Sequence, residues 1–295
     1  MTMYAGLDVS DKATHICVVR DDGEIVRRDA VASDPEVLAK WLERHAGGVA
    51  RVVLETGPLA VFLYHGLKER DVPVLCICAR HAKGALSARV NKSDVHDAEA
   101  LAHLARTGWF KQVHIKQEGS HIDRAALKIG GQLVSSRNAL ANQLRGMLKL
   151  FGLKLGRVTT PGKRRERLQT LFGQRPDLRV VFMPLAEMIE ALEAQLSRNA
   201  RLLDARAAAD PVAGRLMSVP GVGPITALTF ITSIEDPERF TRSASVAAYA
   251  GLVPRRSQSG ERDHKGRISK AGDPMLRSAP APCSTGAKPW PRPGA

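Results

Sequence analysis

The sequence predicts an α/β protein with a mixed sheet in its first third, a long helical connector, and a small, mostly helical C-terminal domain. Three observations carry that prediction. Three short runs rich in strand-forming residues open the chain, helix-like and strand-like segments then alternate to about residue 106, and from residue 122 apolar residues recur at three-and-four spacing.

Tyr4–Ser10 (YAGLDVS), Thr14–Val19 (THICVV) and Glu24–Ala30 (EIVRRDA) read as strands, and Asp21-Asp22-Gly23 supplies a hairpin turn between the last two. Asp34–His45 carries a helical apolar stripe. Arg51–Leu54 is a buried strand ending at Glu55, and Thr56-Gly57-Pro58 breaks it before a second helix. Val72–Cys78 (VPVLCIC) is continuously apolar, as suits a strand covered on both faces. Helices over Arg80–Val90 and Asp94–Arg106 complete this part. A three-stranded meander followed by helix, strand, helix, strand, helix is the element order of the ribonuclease-H-like fold.

In that order the first strand, the end of the fourth and the last helix converge on one sheet edge, and they carry Asp8, Glu55, and Asp94 with Asp97. Residues three apart share a helix face, so Asp94 and Asp97 can serve one ion. Clustered carboxylates repel unless cations lie among them, and oxygen ligands favour Mg²⁺ or Mn²⁺. Two such ions about 4 Å apart would clamp a phosphodiester. Each residue alone has an ordinary reading as a strand-end acid, a solvated strand terminus, or a helix cap with its first-turn partner. Their joint arrival in fold order is what argues for a site.

A net charge of +14 across 295 residues implies a polyanionic partner, and 4% aromatic content argues against a stacking platform for single strands. Cys17, Cys76, Cys78 and Cys283 lack metal-ligand spacing and read as reduced thiols. With no secretory signal and no membrane-length apolar run, the expected location is cytoplasmic and nucleoid-associated, with no membrane partner.

Ile122–Leu155 reads as a basic amphipathic helix interrupted at Gly130-Gly131. Lys163, Arg164, Arg165 and Arg167 form a charge cluster with few acidic neighbours in sequence, expected to meet nucleic-acid phosphates. Pro184–Ala208 places Leu185, Met188, Ile189, Leu192, Leu196, Leu202 and Leu203 along one stripe, fit for pairing within the chain or between subunits. The expected domains are 1–112, 113–212 and 213–277, with 278–295 as a Pro-, Ala- and Gly-rich disordered tail.

Ser218–Ile225 sets Gly221 and Gly223 in a tight turn between apolar helices. Such a turn fits a helix-hairpin-helix whose backbone N–H groups meet phosphate, and equally a plain helix connection. Arg255–Arg267 reads as a polar, glycine-flanked loop that carries Ser257, Ser259 and the cations Arg255, Arg256, Arg262 and Lys265. From the residues alone Ser259 reads first as a loop hydroxyl that only binds phosphate, Ser257 is a rival nucleophile, and His264 suits contact with phosphate or solvent.

These pieces together resemble the IS110 family of insertion-sequence transposases, which includes pilin-type DNA invertases and transposases guided by a bridge RNA. The resemblance runs from Gly6-Leu7-Asp8 through Leu54-Glu55-Thr56 and Lys92–Ala98. It resumes at Pro220–Gly223, Phe240, Ala248–Leu252 and Ser259-Gly260, and ends at Ile268–Gly272 with Leu276-Arg277. It implies a RuvC-like domain whose Asp-Glu-Asp-Asp cluster, here Asp8, Glu55, Asp94 and Asp97, acts on DNA with divalent ions. It also implies a nucleophilic serine, here Ser259, that forms a phosphoserine intermediate. Partners so implied are the element ends and target DNA, a structured guide RNA, and further copies of the chain paired through the connector. A junction-resolving nuclease acting through water and an inactive nucleic-acid-binding remnant are the alternatives. Relatives continue past Leu276-Arg277 with further helices, so the residues after 277 imply a truncated or frameshifted copy.

Overall fold

A computed structural model describes residues 1–79, 94–156, 160–173, 175–259 and 262–278; the expected helix over 80–90 and the tail from 279 lie outside them. The chain divides into two compact units, Met1–Lys116 and the residues from Gln117 onward. Among the described residues no helix is long and apolar enough to cross a membrane.

The first unit is built on a five-stranded sheet in the order β3-β2-β1-β4-β5. Its strands are β1 (Met3–Val9), β2 (Ala13–Arg20), β3 (Ile25–Ala32), β4 (Val49–Glu55) and β5 (Val74–Ile77). The first three pair antiparallel as a meander, while β4 joins β1 and β5 joins β4 in parallel. This is the ribonuclease-H-like order that the sequence predicts.

Period-two alternation divides the sheet's faces. On one face Ala5, Leu7, Ile16, Val18, Val52, Leu54, Val74 and Cys76 are buried beneath α1 (Pro35–His45) and α2 (Ala60–Lys68). Asp34 caps α1 by accepting from the N–H groups of Glu36 and Val37, and Trp41 Nε1 donates to Asp29 Oδ2 of β3 at 2.8 Å. The opposite face holds Tyr4, Cys17, Val19, Val53, Leu75 and Ile77 against α3 (Asp94–Thr107). Cys17 and Cys76 are buried free thiols, and burial pushes them up to about 11 and about 12, so both stay protonated.

In the second unit α4 (Glu118–Lys149) and α6 (Pro176–Ala209) pack antiparallel, with α5 (Pro161–Leu171) across one end. The leucine stripe therefore finds a partner within the chain: Ile189 packs with Leu144 and Leu148 of α4, and Leu203 with Ala126 and Leu127. Two boundaries differ from expectation. Helix α4 runs through Gly130-Gly131 unbroken, and Asn199 of α6 lies against Gly130 and donates to Ala126 O at 3.1 Å. Helix α6 begins at Pro176 and passes through Pro184. The carbonyl that Pro184 leaves without its helical N–H belongs to Val180, which is 77% exposed, so water can satisfy it.

Beyond α6 come α7 (Pro211–Met217), α8 (Pro224–Ile234), α9 (Ser243–Tyr249), a β6–β7 ribbon (Pro254–Ser259 and Arg262–Ile268) and α10 (Pro274–Ser278). The segment expected as a loop over 255–267 is thus an antiparallel hairpin, with Ser259 opposite Arg262. Sequence patterning misses it because its residues are polar throughout, and among the described residues none is buried to impose alternation. Arg256 instead braces the ribbon with a two-point bond to Asp263, both contacts 2.8 Å.

Asp273 anchors the end of this unit. Its carboxylate pairs with Arg124 of α4 at 2.6 Å, accepts from Ser233 Oγ of α8 at 2.9 Å, and accepts the Met275 N–H at 2.9 Å. Arg277 donates to the carbonyls of Ala250 and Gly272. A Cβ on Gly272 would stand 2.0 Å from Tyr249 O, so only glycine allows these two turns to press together.

Burial alone would raise the Asp273 carboxyl's pKa. The hydrogen bonds from Arg124 and Ser233, with the guanidinium's charge, outweigh it and hold the group below its ordinary value. A folded-state pKa below the unfolded one gives stability that is present above the unfolded pKa and lost as pH falls through the folded one. Asp273→Asn should lower the unfolding free energy near neutral pH by roughly 3 kcal/mol, since it leaves the largely covered Arg124 side chain, 16% exposed, without its anion. The variant should also lose less stability than the parent below about pH 4. Urea titrations across pH check both expectations.

Candidate active site

The site is assembled by backbone register. Leu7 and Leu54 are partners in the parallel β1–β4 ladder, so Asp8 and Glu55, one residue further on, stand level on neighbouring strands about 4.8 Å apart. Asp8 shares its face with Tyr4 and Gly6, and Glu55 with Val53, which is the face that α3 covers.

Helix α3 brings the third group. Ala98 and Ala102 pack with Cys17 and Val19, while Leu101, Leu104 and Ala105 pack with Val53 and Ile77. Its axis crosses β1 at Gly6 so closely that a Cβ there would lie 2.2 Å from both Ala98 O and Ala102 N. Arginines fix the far end: Arg51 donates to Ala105 O at 2.8 Å and Arg106 to Asp21 O at 3.1 Å. Asp21 follows β2 at the sheet end opposite Asp8, so α3 runs antiparallel to β1 and its first turn, Asp94–Asp97, lies at the end that holds Asp8 and Glu55. Asp97 is half-buried; the Asp94 side chain lies outside the described residues. Among the described residues, no three His, Cys, Asp or Glu side chains are gathered closely enough to hold a metal ion.

Two neighbours carry no signal in the sequence. His15 is the antiparallel partner of Asp8 and so shares its face. Glu99, buried on α3, pairs with Arg28 of β3 and ties the helix to the outer strand. Neither register nor helix rotation can be read from composition, so nothing local marks either residue. A cavity of about 740 Å³ lined by Glu36, Lys40, Val49 and Pro73 sits at the other end of the parallel strands and takes no part in the site.

The remaining candidates lie in the second unit. Ser259 ends β6 at the tip of the ribbon; its side chain and that of Arg262, together with Gly260 and Glu261, are outside the described residues. Arg255 donates to Ser269 O at 3.1 Å, and Lys265 is exposed on β7. Gly221, at φ 87°, turns the chain between α7 and α8, and Gly223 precedes α8 as its capping residue.

The connector cluster divides in the fold. Arg164 is buried and holds Glu193 of α6 with two bonds of 2.8 and 2.9 Å, while Arg165 pairs with Glu190. Their acids stand more than twenty residues away in sequence, which makes the cations look unopposed. Arg164 is a structural tie with no surface to offer nucleic acid, whereas Lys163 and Arg167 are exposed.

Comparison with known proteins gives the family. The family model for DEDD transposases of IS110, described as a transposase, matches residues 5–152, and that of the IS116/IS110/IS902 transposase family matches residues 213–283. The transposase for insertion sequence element IS1111A of Coxiella burnetii is 30% identical over 281 residues, 92% of this chain and 74% of that protein. A probable family 20 transposase of Pseudomonas aeruginosa is 32% identical over 196 residues, 64% of this chain, and the match spans only 57% of that protein's length. Thermus thermophilus RuvC, solved in complex with a Holliday junction substrate, matches 38% of this chain over its whole length, with 18% identity and a TM-score of 0.29. The family matches define a class, the transposases of insertion sequences. Within that class the chain belongs to the IS110-type family of insertion-sequence transposases.

Because Gly6 sets the approach of α3, Gly6→Ala should displace the helix and lower the unfolding free energy by about 3 kcal/mol. An unchanged urea midpoint would show that α3 can shift without loss.

Proposed function

We propose that this chain cuts and rejoins DNA at the ends of an insertion sequence and at its target, using the four carboxylates with Ser259 as nucleophile. The observation that carries the reading is the convergence of Asp8, Glu55 and the first turn of α3 on one sheet edge. Asp8, Glu55, Asp94 and Asp97 are an oxygen-only donor set suited to Mg²⁺ or Mn²⁺, and ions held there would supply Lewis-acid stabilisation of a phosphodiester under attack.

Ser259 Oγ bonds to phosphorus as the bond from phosphorus to a deoxyribose oxygen breaks. The serine proton passes to a carboxylate or solvent, and the departing oxygen takes one up. Attack by another strand's hydroxyl reverses these steps, which frees the serine and joins the strands. The ribbon supports this role because the two strands that carry Ser259 also carry Arg255, Arg256, Arg262 and Lys265, cations suited to neutralising a crowded phosphate, although Asp263 already partly offsets Arg256. The turn at Gly221 and Gly223 offers a further phosphate contact before α8.

A structured guide RNA fits the resemblance to bridge-RNA-guided transposases and the charge of +14. Association between copies through the connector is supported by Ile122, Ile129, Met188 and Leu202, which remain about half exposed after α4 and α6 have paired.

A suicide DNA substrate with Mg²⁺ and the cognate RNA tests the reading. The parent should form a covalent protein–DNA adduct, Ser259→Ala should lose it, and Asp8→Asn should lose both adduct and cleavage. Cleavage without an adduct would instead mark a water-using nuclease, and an adduct that survives Ser259→Ala would move the nucleophile to Ser257.

A further inference from the structure

Ten Lys and Arg residues and no acid stand between Asp123 and Glu166. Among the described residues three of those cations acquire acids from elsewhere: Arg124 takes Asp273, Arg164 takes Glu193, and Arg165 takes Glu190. Arg145, Lys149 and Lys154 are exposed, and among the described residues no ion pair forms at any of them.

These three share one concave place. Helix α4 stops at Lys149, and Gly152, at φ 72°, reverses the chain so that the Leu153 N–H bonds back to Leu148 O. Leu155 is buried with Leu144 and Leu148, which pins the returning segment beside the last turns of the helix. Between them opens a cavity of about 620 Å³ lined by Asn142, Arg145, Gly146, Lys149, Lys154 and Gly156. Arg145 is pre-set by its own helix, donating Nε to Ala141 O and Nη2 to Asn142 Oδ1 at 2.6 Å. A Cβ at Gly146 or Gly156 would meet nothing within 4 Å, so backbone on both sides leaves room for a bulky anion. Complementing the dipole at the end of α4 would account for Lys149, but not for Arg145 a turn earlier or for Lys154 beyond the helix.

We propose that this groove binds the phosphodiester backbone of nucleic acid, with Arg145 as a planar two-point donor and Lys149 and Lys154 as point charges. The connector's main phosphate contact thus lies at the end of α4, away from the Lys163–Arg167 cluster, where internal acids have consumed part of the charge. The inference rests on the reading of the chain as a nucleic-acid enzyme only in the class of its ligand.

The test measures binding to a short duplex DNA and to a stem-loop RNA over a range of salt, with the full chain carrying Arg145→Gln, Lys149→Gln and Lys154→Gln together. All three positions are exposed, so the fold should be kept, which circular dichroism verifies. The slope of log affinity against log salt should fall by roughly three on at least one of the two ligands, and the ligand affected identifies the occupant. A control with Lys40→Gln, Arg44→Gln and Lys68→Gln removes the same charge from the first unit and should leave the slope near that of the parent. An unchanged slope in the groove variant, or an equal fall in the control, would overturn the groove. Binding is read without cleavage, so a failed catalytic reading leaves this test intact. A parent chain that binds neither ligand would overturn both.

Discussion

The first unit depends on one backbone-to-backbone approach, where α3 lies against β1 at Gly6. Two polar elements can come this close only where no side chain separates them, and that closeness fixes both the height and the axial position of the helix over the sheet. The Arg28–Glu99 pair and the bonds made by Arg51 and Arg106 then fix its direction. Docking in that direction puts the first turn of the helix, which carries Asp97, at the sheet end that holds Asp8 and Glu55. The apolar contacts of Leu101, Ala102 and Ala105 hold the helix from beneath.

The second unit manages charge differently. Its long helices carry many cations, and folding sorts them into those that become internal ties and those that stay outside. Arg164 and Arg124 belong to the first kind, each desolvated, matched to a carboxylate and held by more than one bond, so neither is available to a ligand. Arg145, Lys149 and Lys154 belong to the second, and only that kind is left open to an anionic ligand. Net charge alone therefore overstates how much of this protein faces nucleic acid.

Most of the sheet was legible in the sequence, because a half-covered meander and two buried parallel strands impose distinct apolar patterns, and most strand ends moved by only a residue or two. That Asp8 and Glu55 lie on neighbouring strands followed from element order, whereas their level register did not. What stayed hidden depended on long-range register or rotation: His15 opposite Asp8, the acids Glu190 and Glu193 beneath the connector cations, and the close packing that Gly6 and Gly272 permit. The β6–β7 ribbon was illegible for a related reason. A hairpin of polar residues has no apolar alternation to display, and its strands are held by ladder bonds and the Arg256–Asp263 brace. Pro184 misled because a proline reads as a helix start, whereas at an exposed turn a long helix can pass through it.

The central claim is that α3 brings Asp97 to the same ions as Asp8. Calorimetric titration of Mn²⁺ into the parent chain, Asp8→Asn, Asp97→Asn and the double variant tests it most directly. The account predicts that each substitution weakens binding by about tenfold or more, and that the double variant is little worse than either single one, as expected for two ligands of one site. Mn²⁺ bound equally well by the parent and the double variant would contradict it.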